Sequence, residues 1–228
     1  MALDAATLAL TAGELKQTLT DAKIAKIFEP TRDELVLTLR TRTETYALLL
    51  SARSGSARVC LTEESFENPE TPPSFCMLMR KHLCGGKITA VKQIDFDRII
   101  RIDVECHNEL GDLETNSIVS EIMGRHSNII FIDENNKILD SAKHVDFTVS
   151  AVRQILPGFI YELPPSQDKL SPEKFDMVDF MNGFARQDDD ILIDKYLLSQ
   201  IMGMSPLIAR EIVHRFSGHT KITKGEVC

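Results

Sequence analysis

The amino-acid sequence predicts an α+β fold, in which a β-sandwich with helices at its edge is followed by a helical region. Two observations support this. Short apolar runs bounded by Gly, Pro, Asn, Asp and Ser recur through the first 170 residues, as in the strands of a sandwich or barrel. From about Ser171 onward, apolar residues recur at helical spacing. We therefore divide the chain into a sandwich domain, residues 1–170, and a helical region, residues 171–228.

Two helices and nine strands account for the sandwich domain. The first helix spans 4–20, with Asp4 at the N-cap position and a buried face predicted to contain Leu8, Ala12, Leu15 and Leu19. A second helix spans 74–83 and ends at Gly85-Gly86. The predicted strands are 24–28, 34–40, 45–51 and 57–61 before the second helix, and 87–94, 99–106, 115–123, 128–133 and 137–141 after it.

Three helices are predicted in the second region, at 172–182, 191–202 and 206–216. Ser171-Pro172-Glu173 is a typical helix start, with a cap, a proline at the first helical position and an acid in the first turn. The turn before the last helix resembles a helix-hairpin-helix turn, with Ser205 in place of its second glycine. Because 221–228 form no closing element, we expect the region to be incomplete.

The composition favours a cytoplasmic globular protein. The five scattered cysteines lack a C-x-x-C motif and are expected to be mainly buried free thiols, which indicates a reducing compartment. The first residues show neither a basic n-region nor an apolar h-region, so no secretion signal is expected. No apolar run approaches the roughly 20 residues that would span a bilayer, so no membrane association is expected. The net charge of −8 argues against non-specific coating of nucleic acid but allows a local basic face.

The turn that ends in Asp97-Arg98 is the first candidate site, together with Asp4. An arginine can pair with phosphate or read a base edge, and an aspartate can accept from base amines or orient the arginine. The alternative is structural, because aspartate favours turns and helix caps through bonds to the nearby backbone. The residues by themselves favour this structural alternative.

Three other places carry groups that could contact nucleic acid. Arg80 and Lys81 lie on the second helix, and Arg125-His126 lie in a loop between two strands. The hairpin turn from Gly203 to Ser205 could offer backbone amides to a phosphate at a helix N-terminus. Each place has an ordinary alternative: a solvated helix face, a β-turn and the packing of two helices.

No cofactor, metal or catalytic site is predicted. The six histidines are dispersed, and no His, Cys and Asp cluster has the spacing of metal ligands. The sequence contains no P-loop, no G-x-G-x-x-G and no G-x-S-x-G. The residues by themselves therefore offer no support for hydrolase, nucleotide-binding or metal-dependent chemistry.

Five blocks of the sequence resemble the amino-terminal part of the NFACT family, which includes the bacterial RqcH or fibronectin-binding A (FbpA) proteins and eukaryotic NEMF. The order of the blocks is that of the family, and together they span most of the chain. They are Leu3-Asp4, PSFCMLMRKHL at 73–83 with Gly85-Gly86, Asp97-Arg98-Ile99-Ile100, EIMGRHSNII at 121–130, and Leu156-Pro157-Gly158 followed by Pro164-Pro165.

The resemblance implies a function in ribosome quality control. Family members bind large ribosomal subunits that hold a stalled peptidyl-tRNA, recruit tRNA and support an untemplated carboxy-terminal tail, which is alanine in bacteria. The family residues needed for tRNA recruitment correspond here to Asp4, Asp97 and Arg98. Peptide-bond formation would remain with the ribosome, so the resemblance implies a factor that positions tRNA and not an enzyme.

The resemblance also implies a fold and two alternative functions. The family's amino-terminal domain resembles that of formamidopyrimidine-DNA glycosylases, which use an amino-terminal proline followed by glutamate. This chain starts Met1-Ala2-Leu3-Asp4, so a DNA-binding or DNA-processing protein of that fold would lack glycosylase activity. The other alternative is an adhesin whose partner is fibronectin.

Overall fold

The computed structural model describes residues 3–165 and 168–227, which divide into two compact units. The first unit contains Leu8–Ile94 and Arg98–Pro165, with Leu3. The second contains Asp4–Thr7, Asp95–Asp97 and the described residues after 165. The second unit is therefore discontinuous in sequence, since it takes two short segments from the amino-terminal half of the chain.

The described part of the first unit contains nine strands, and every neighbouring pair is antiparallel. They are β1 (Lys23–Thr31), β2 (Glu34–Arg40), β3 (Thr45–Ser51), β4 (Arg58–Thr62), β5 (Lys87–Gln93), β6 (Ile99–His107), β7 (Leu113–Glu121), β8 (Asn128–Ile132) and β9 (Ile138–Ser141). Together with the helices they confirm the predicted α+β class.

The prediction of a sandwich is wrong in one respect, because the strands form a single continuous sheet. Its order is β4-β3-β2-β1-β5-β6-β7-β8-β9. Backbone hydrogen bonds at the start of β1 and β5 join the two halves: the N–H of Ile24 donates to Gly86 at 2.9 Å, and that of Ile88 donates to Ala22 at 2.9 Å. These bonds remove the free edge that would separate two sheets.

The sheet curls, so that strands near its opposite ends meet. β3 and β8 contact each other although five strands lie between them in the sheet order. Beyond β9, Lys143 Nζ donates to the carbonyl of Ala52 at 2.6 Å and lies 3.4 Å from the carboxylate of Asp33. The curl gives the first unit an enclosed interior, which explains why a sandwich-like strand pattern occurs in one sheet.

Two helices, α1 (Ala5–Leu19) and α2 (Ser74–Leu83), pack into the main core. The predicted buried face of α1 is confirmed, and α2 buries its own apolar side chains in the same cluster. Since successive strand residues face opposite sides of a sheet, a second, smaller core forms on the other face. It contains Ile99, Val119, Ile130, Ile132, Ile138 and Ile155.

The thiols of Cys76 and Cys106 are free and buried, as expected, whereas Cys60 is half-buried and Cys84 is exposed. Burial raises the pKa of the Cys76 and Cys106 thiols above the ordinary value. These thiols therefore act as small apolar side chains and not as nucleophiles.

The second unit contains the helices α3 (Met177–Ala185), α4 (Ile193–Gln200) and α5 (Pro206–Ser217). The predicted helix 172–182 is wrong at its start, because Pro172–Lys174 is a single 3-10 turn. Extended Phe175 follows, with its ring 5.2 Å from that of Phe180, and Asp176 then caps α3. None of the described helices is long and apolar enough to cross a membrane.

Candidate functional site

The carboxylate of Asp4 links the first turn of α1, whose residues up to Thr7 belong to the second unit, to the start of α5. Its Oδ1 accepts from the N–H of Thr7 at 2.8 Å and so caps α1. Its Oδ2 accepts from the hydroxyl of Ser205 at 2.9 Å. Burial acts to raise the pKa of Asp4, but these two bonds outweigh it, so the pKa lies below its ordinary value. Asp4 is therefore held as a carboxylate at neutral pH.

Ser205 is the N-cap of α5. Its Oγ accepts from the N–H of Ile208 at 3.2 Å, while Pro206 occupies the first helical position. The same hydroxyl donates to Asp4, so one side chain completes α5 and contacts the residue that completes α1. The sequence predicts the cap at Asp4 and a helix from Pro206, but it predicts neither the cap at Ser205 nor the pairing of the two caps.

Gly203, in the turn between α4 and α5, is required by close packing. It has a φ of +68°, and a Cβ built there would lie 2.3 Å from the Cβ of Ala5 and 2.7 Å from the carbonyl oxygen of Phe96. Its own carbonyl accepts from the N–H of Ala5 at 3.2 Å. The described contacts of Gly203 are thus with protein, and its binding to a nucleic-acid phosphate stays a prediction, as does the helix-hairpin-helix assignment of this turn.

The turn that carries Asp97 joins the same cluster. Asp95 and Phe96 have positive φ values of 47° and 52°, which is unusual for residues with side chains and above all for an aromatic one. Asp97 belongs to the second unit with Asp4, Gly203 and Ser205, whereas Arg98 belongs to the first unit. The carbonyl of Arg98 accepts from the N–H of Ile122 at 2.8 Å. Asp97 and Arg98 are both half-buried.

Arg80 and Lys81 are adjacent in α2 but have different surroundings. Arg80 Nε donates to the carbonyl of Ile27 at 2.7 Å, and its guanidinium lies 5.5 Å from the centre of the Phe28 ring. The Lys81 ammonium is exposed and pairs with the exposed carboxylate of Glu109 at 2.9 Å. Arg80 therefore has a packing role within the first unit, and Lys81 is the more accessible cation.

Arg125 and His126 are exposed in a 3-10 turn before β8. Arg125 Nε donates to His126 Nε2 at 2.9 Å. The buried hydroxyl of Ser127 fixes the turn, since it donates to Gly124 at 2.7 Å and accepts from Met123 at 2.8 Å. The turn thus presents two basic side chains on a fixed backbone.

A buried ion pair in the first unit was not predicted from the sequence. The fully buried carboxylate of Glu121 accepts two bonds from Arg153, at 2.8 and 2.7 Å, and a third from the Tyr161 hydroxyl at 2.8 Å. Burial and the Glu121 charge raise the pKa of Tyr161. A glutamate inside an otherwise apolar strand end is the signal that could have revealed this pair. It fixes the segment after β9 to β7.

Another polar cluster lies on β5, β6 and β7 of the first unit. Asp103 accepts from Arg101 at 2.7 Å, from Lys92 at 3.0 Å and from Ser117 at 2.8 Å. Burial opposes its ionisation, but these bonds lower the pKa of Asp103 below the ordinary value. Arg101 also lines a shallow cavity of about 260 Å³ with Asn136 and Tyr161. The single carboxylate of Asp103 faces two cations, Arg101 and Lys92, so these three side chains carry one excess positive charge.

Within residues 3–165 and 168–227, no three His, Cys, Asp or Glu side chains are grouped so that they could hold a metal ion.

Comparisons with known proteins identify the family of this chain. A family profile described as NFACT N-terminal and middle domains matches residues 4–226. The Rqc2 homolog RqcH of Bacillus subtilis is 39% identical over 211 residues, which are 92% of this chain and 37% of that protein. Ribosome quality control complex subunit 2 of Saccharomyces cerevisiae is 29% identical over 174 residues, 76% of this chain and 16% of that protein.

A solved structure of a relative has the same fold. The N-terminal domain of the fibronectin-binding protein PavA from Streptococcus pneumoniae superposes with a TM-score of 0.86 at 35% identity, covering 95% of this chain and 84% of that one. The chain spans less than half the length of the full relatives that it matches.

Proposed function

Since the chain belongs to the NFACT family, we propose that it binds tRNA on stalled large ribosomal subunits and thereby supports untemplated carboxy-terminal alanine tailing of the nascent chain. The name of the yeast relative, a subunit of the ribosome quality control complex, supports the ribosomal setting. In this proposal the chain positions tRNA, and the ribosome catalyses peptide-bond formation, so the chain is not an enzyme.

One observation carries the proposal. Asp4 and the Asp95–Asp97 turn are far apart in sequence, yet both belong to the compact unit built around the turn from Gly203 to Ser205. Two of the three residues expected to recruit tRNA are therefore parts of one structure. A carboxylate with a lowered pKa and a strained turn are features typical of functional sites, and both occur in this unit.

Other basic groups would assist through the phosphate backbone. Arg125 and His126 are exposed, and Lys81 is the accessible cation of α2. Such contacts position a nucleic acid without reading its sequence. Because the chain has a net charge of −8, we expect few of them to act together.

The proposal is tested by equilibrium binding of labelled bulk tRNA at near-physiological salt. The test variant is Asp97→Ala with Arg98→Ala, which leaves the net charge unchanged. The matched control is Glu211→Ala with Arg215→Ala, an exposed ion pair at 2.7 Å on α5 that is also neutral overall. We expect the test variant to lose at least about tenfold in affinity, since a charge-assisted contact contributes about 1.5–3 kcal/mol, and the control to bind like the unmodified chain.

Equal loss in both variants, or no loss in either, would contradict the assignment of this turn to tRNA. A salt titration adds a second criterion. The logarithm of the affinity should fall with the logarithm of salt with a shallow slope, corresponding to only a few phosphates. A steep slope would indicate a broad basic surface instead of one local site.

Fibronectin binding is the second candidate, because the structural relative described above is named for it. Immobilised fibronectin in the same buffer distinguishes the two functions. Binding that survives the Asp97 and Arg98 substitutions, together with absence of tRNA binding, would favour fibronectin.

A further inference from the structure

We propose that Ser205 is a positioning residue for tRNA binding: acting through Asp4, its hydroxyl holds the first turn of α1 at the α4–α5 turn, on which the Asp95–Asp97 turn also packs. The inference rests on the proposed function, because it takes Asp4 and Asp97 to be parts of the tRNA site.

The direction of the hydrogen bonds gives Ser205 this role. A carboxylate can only accept, so the single hydroxyl proton of Ser205 must point at Asp4, 2.9 Å away. The lone pairs of the same oxygen remain available to the N–H of Ile208. Ser205 can therefore cap α5 and orient Asp4 at the same time, which a residue with only an acceptor could not do.

Asp4 transmits this restraint to the first turn of α1. Its second oxygen accepts from Thr7, and the next residue, Ala5, donates its N–H to the carbonyl of Gly203 at 3.2 Å. Two hydrogen bonds thus join this turn to the turn that precedes α5: Ser205 donates to Asp4, and Ala5 donates to Gly203. With both carboxylate oxygens already bonded inside the unit, the orientation of Asp4 is set before any ligand arrives.

Because Gly203 has no side chain, the Asp95–Asp97 turn can pack against it beside the first turn of α1. A Cβ at Gly203 would overlap both Ala5 and the carbonyl of Phe96, so both segments lie against one glycine. Phe96, at a φ of +52°, directly precedes Asp97. A strained backbone persists only where its surroundings hold it, and this packing supplies such a restraint. A shift of the first turn of α1 would therefore weaken the packing that restrains the Asp95–Asp97 turn.

The test compares Ser205→Asp with Ser205→Asn. Both residues are good N-caps of nearly equal size, so α5 should remain capped in each. Only asparagine has an amide that can donate to Asp4, whereas aspartate places a second negative charge beside it. We expect Ser205→Asn to bind bulk tRNA within about threefold of the unmodified chain and Ser205→Asp to bind at least about tenfold more weakly. If Ser205→Asp does not fold, Ser205→Ala removes the donor without adding charge and replaces it.

Hydrogen exchange measured without tRNA separates this inference from the proposed function. The amides of Ala5 and Thr7 should exchange faster in Ser205→Asp and near the normal rate in Ser205→Asn. Equal exchange in the two variants, or unequal exchange with equal tRNA binding, would overturn the positioning role. If the unmodified chain binds no tRNA, the proposed function fails, and the role of Ser205 in tRNA binding fails with it even where the exchange rates differ.

Discussion

Replacing Gly203 with alanine should destabilise the second unit in two separable ways. The left-handed backbone at a φ of +68° costs a residue with a Cβ about 1–2 kcal/mol. The added methyl group would also lie 2.3 Å from the Cβ of Ala5 and 2.7 Å from the Phe96 carbonyl, where backbone has to move. Overpacking of this kind costs about 1–3 kcal/mol. Together, the two effects should lower the free energy of local unfolding of the second unit by about 2–5 kcal/mol.

Gly218 provides a matched control within the same unit. It ends α5 at a φ of +77°, and a Cβ built there meets nothing within 4 Å. Gly218→Ala should therefore show the backbone penalty alone, about 1–2 kcal/mol. Native-state hydrogen exchange of the α5 amides measures both values in one unit. Equal losses in the two variants would refute the overlap that we infer at Gly203.

Two further predictions concern charged groups. Arg153→Met should lower the free energy of unfolding by about 3–5 kcal/mol, because it leaves the Glu121 carboxylate buried without a cation. Adding Glu121→Gln to this variant should recover much of the lost free energy of unfolding, as measured by urea denaturation. If Arg153→Met alone unfolds with a free energy within about 1 kcal/mol of that of the unmodified chain, the prediction is wrong. The lowered pKa of Asp4 means that its stabilisation is complete above the ordinary pKa of 3.8 and is lost as the pH falls through the folded-state value. Asp4→Asn should remove this part of the acid dependence. Hydrogen exchange of the α1 amides, measured against pH in the variant and in the unmodified chain, would show the difference. Identical pH profiles in the two proteins would contradict the prediction.

Local signals were sufficient where an element depends on its own residues. The predicted bounds of α2, β2 and β3 agree with the structure to the residue. At α2, Pro73 precedes the helix and Gly85 follows it at a φ of +86°, so residues next to the helix determine both of its ends. The predicted start of α3 failed because two cap signals, Ser171 and Asp176, compete there. Packing of Phe175 against Phe180 favours the second.

Long-range pairings could not be predicted in the same way. The alternation of apolar residues indicates strands but not that β1 pairs with β5, which converts a predicted sandwich into one curled sheet. The candidate site shows the same division. The sequence predicts that Asp4 is a helix cap, whereas its hydrogen bond with Ser205 depends on the tertiary fold.

The hydrogen bond between Asp4 and Ser205 joins residues 201 positions apart, so it cannot form until long after Asp4 has been synthesised. At about 5–20 residues per second, roughly 10–40 s pass between synthesis of the aspartate and synthesis of its serine partner. During that interval every strand of the sheet is made, while the start of α1 still lacks its anchor. A nascent chain interrupted before residue 205 would therefore carry Asp97 and Arg98 but could not yet assemble the cluster around them.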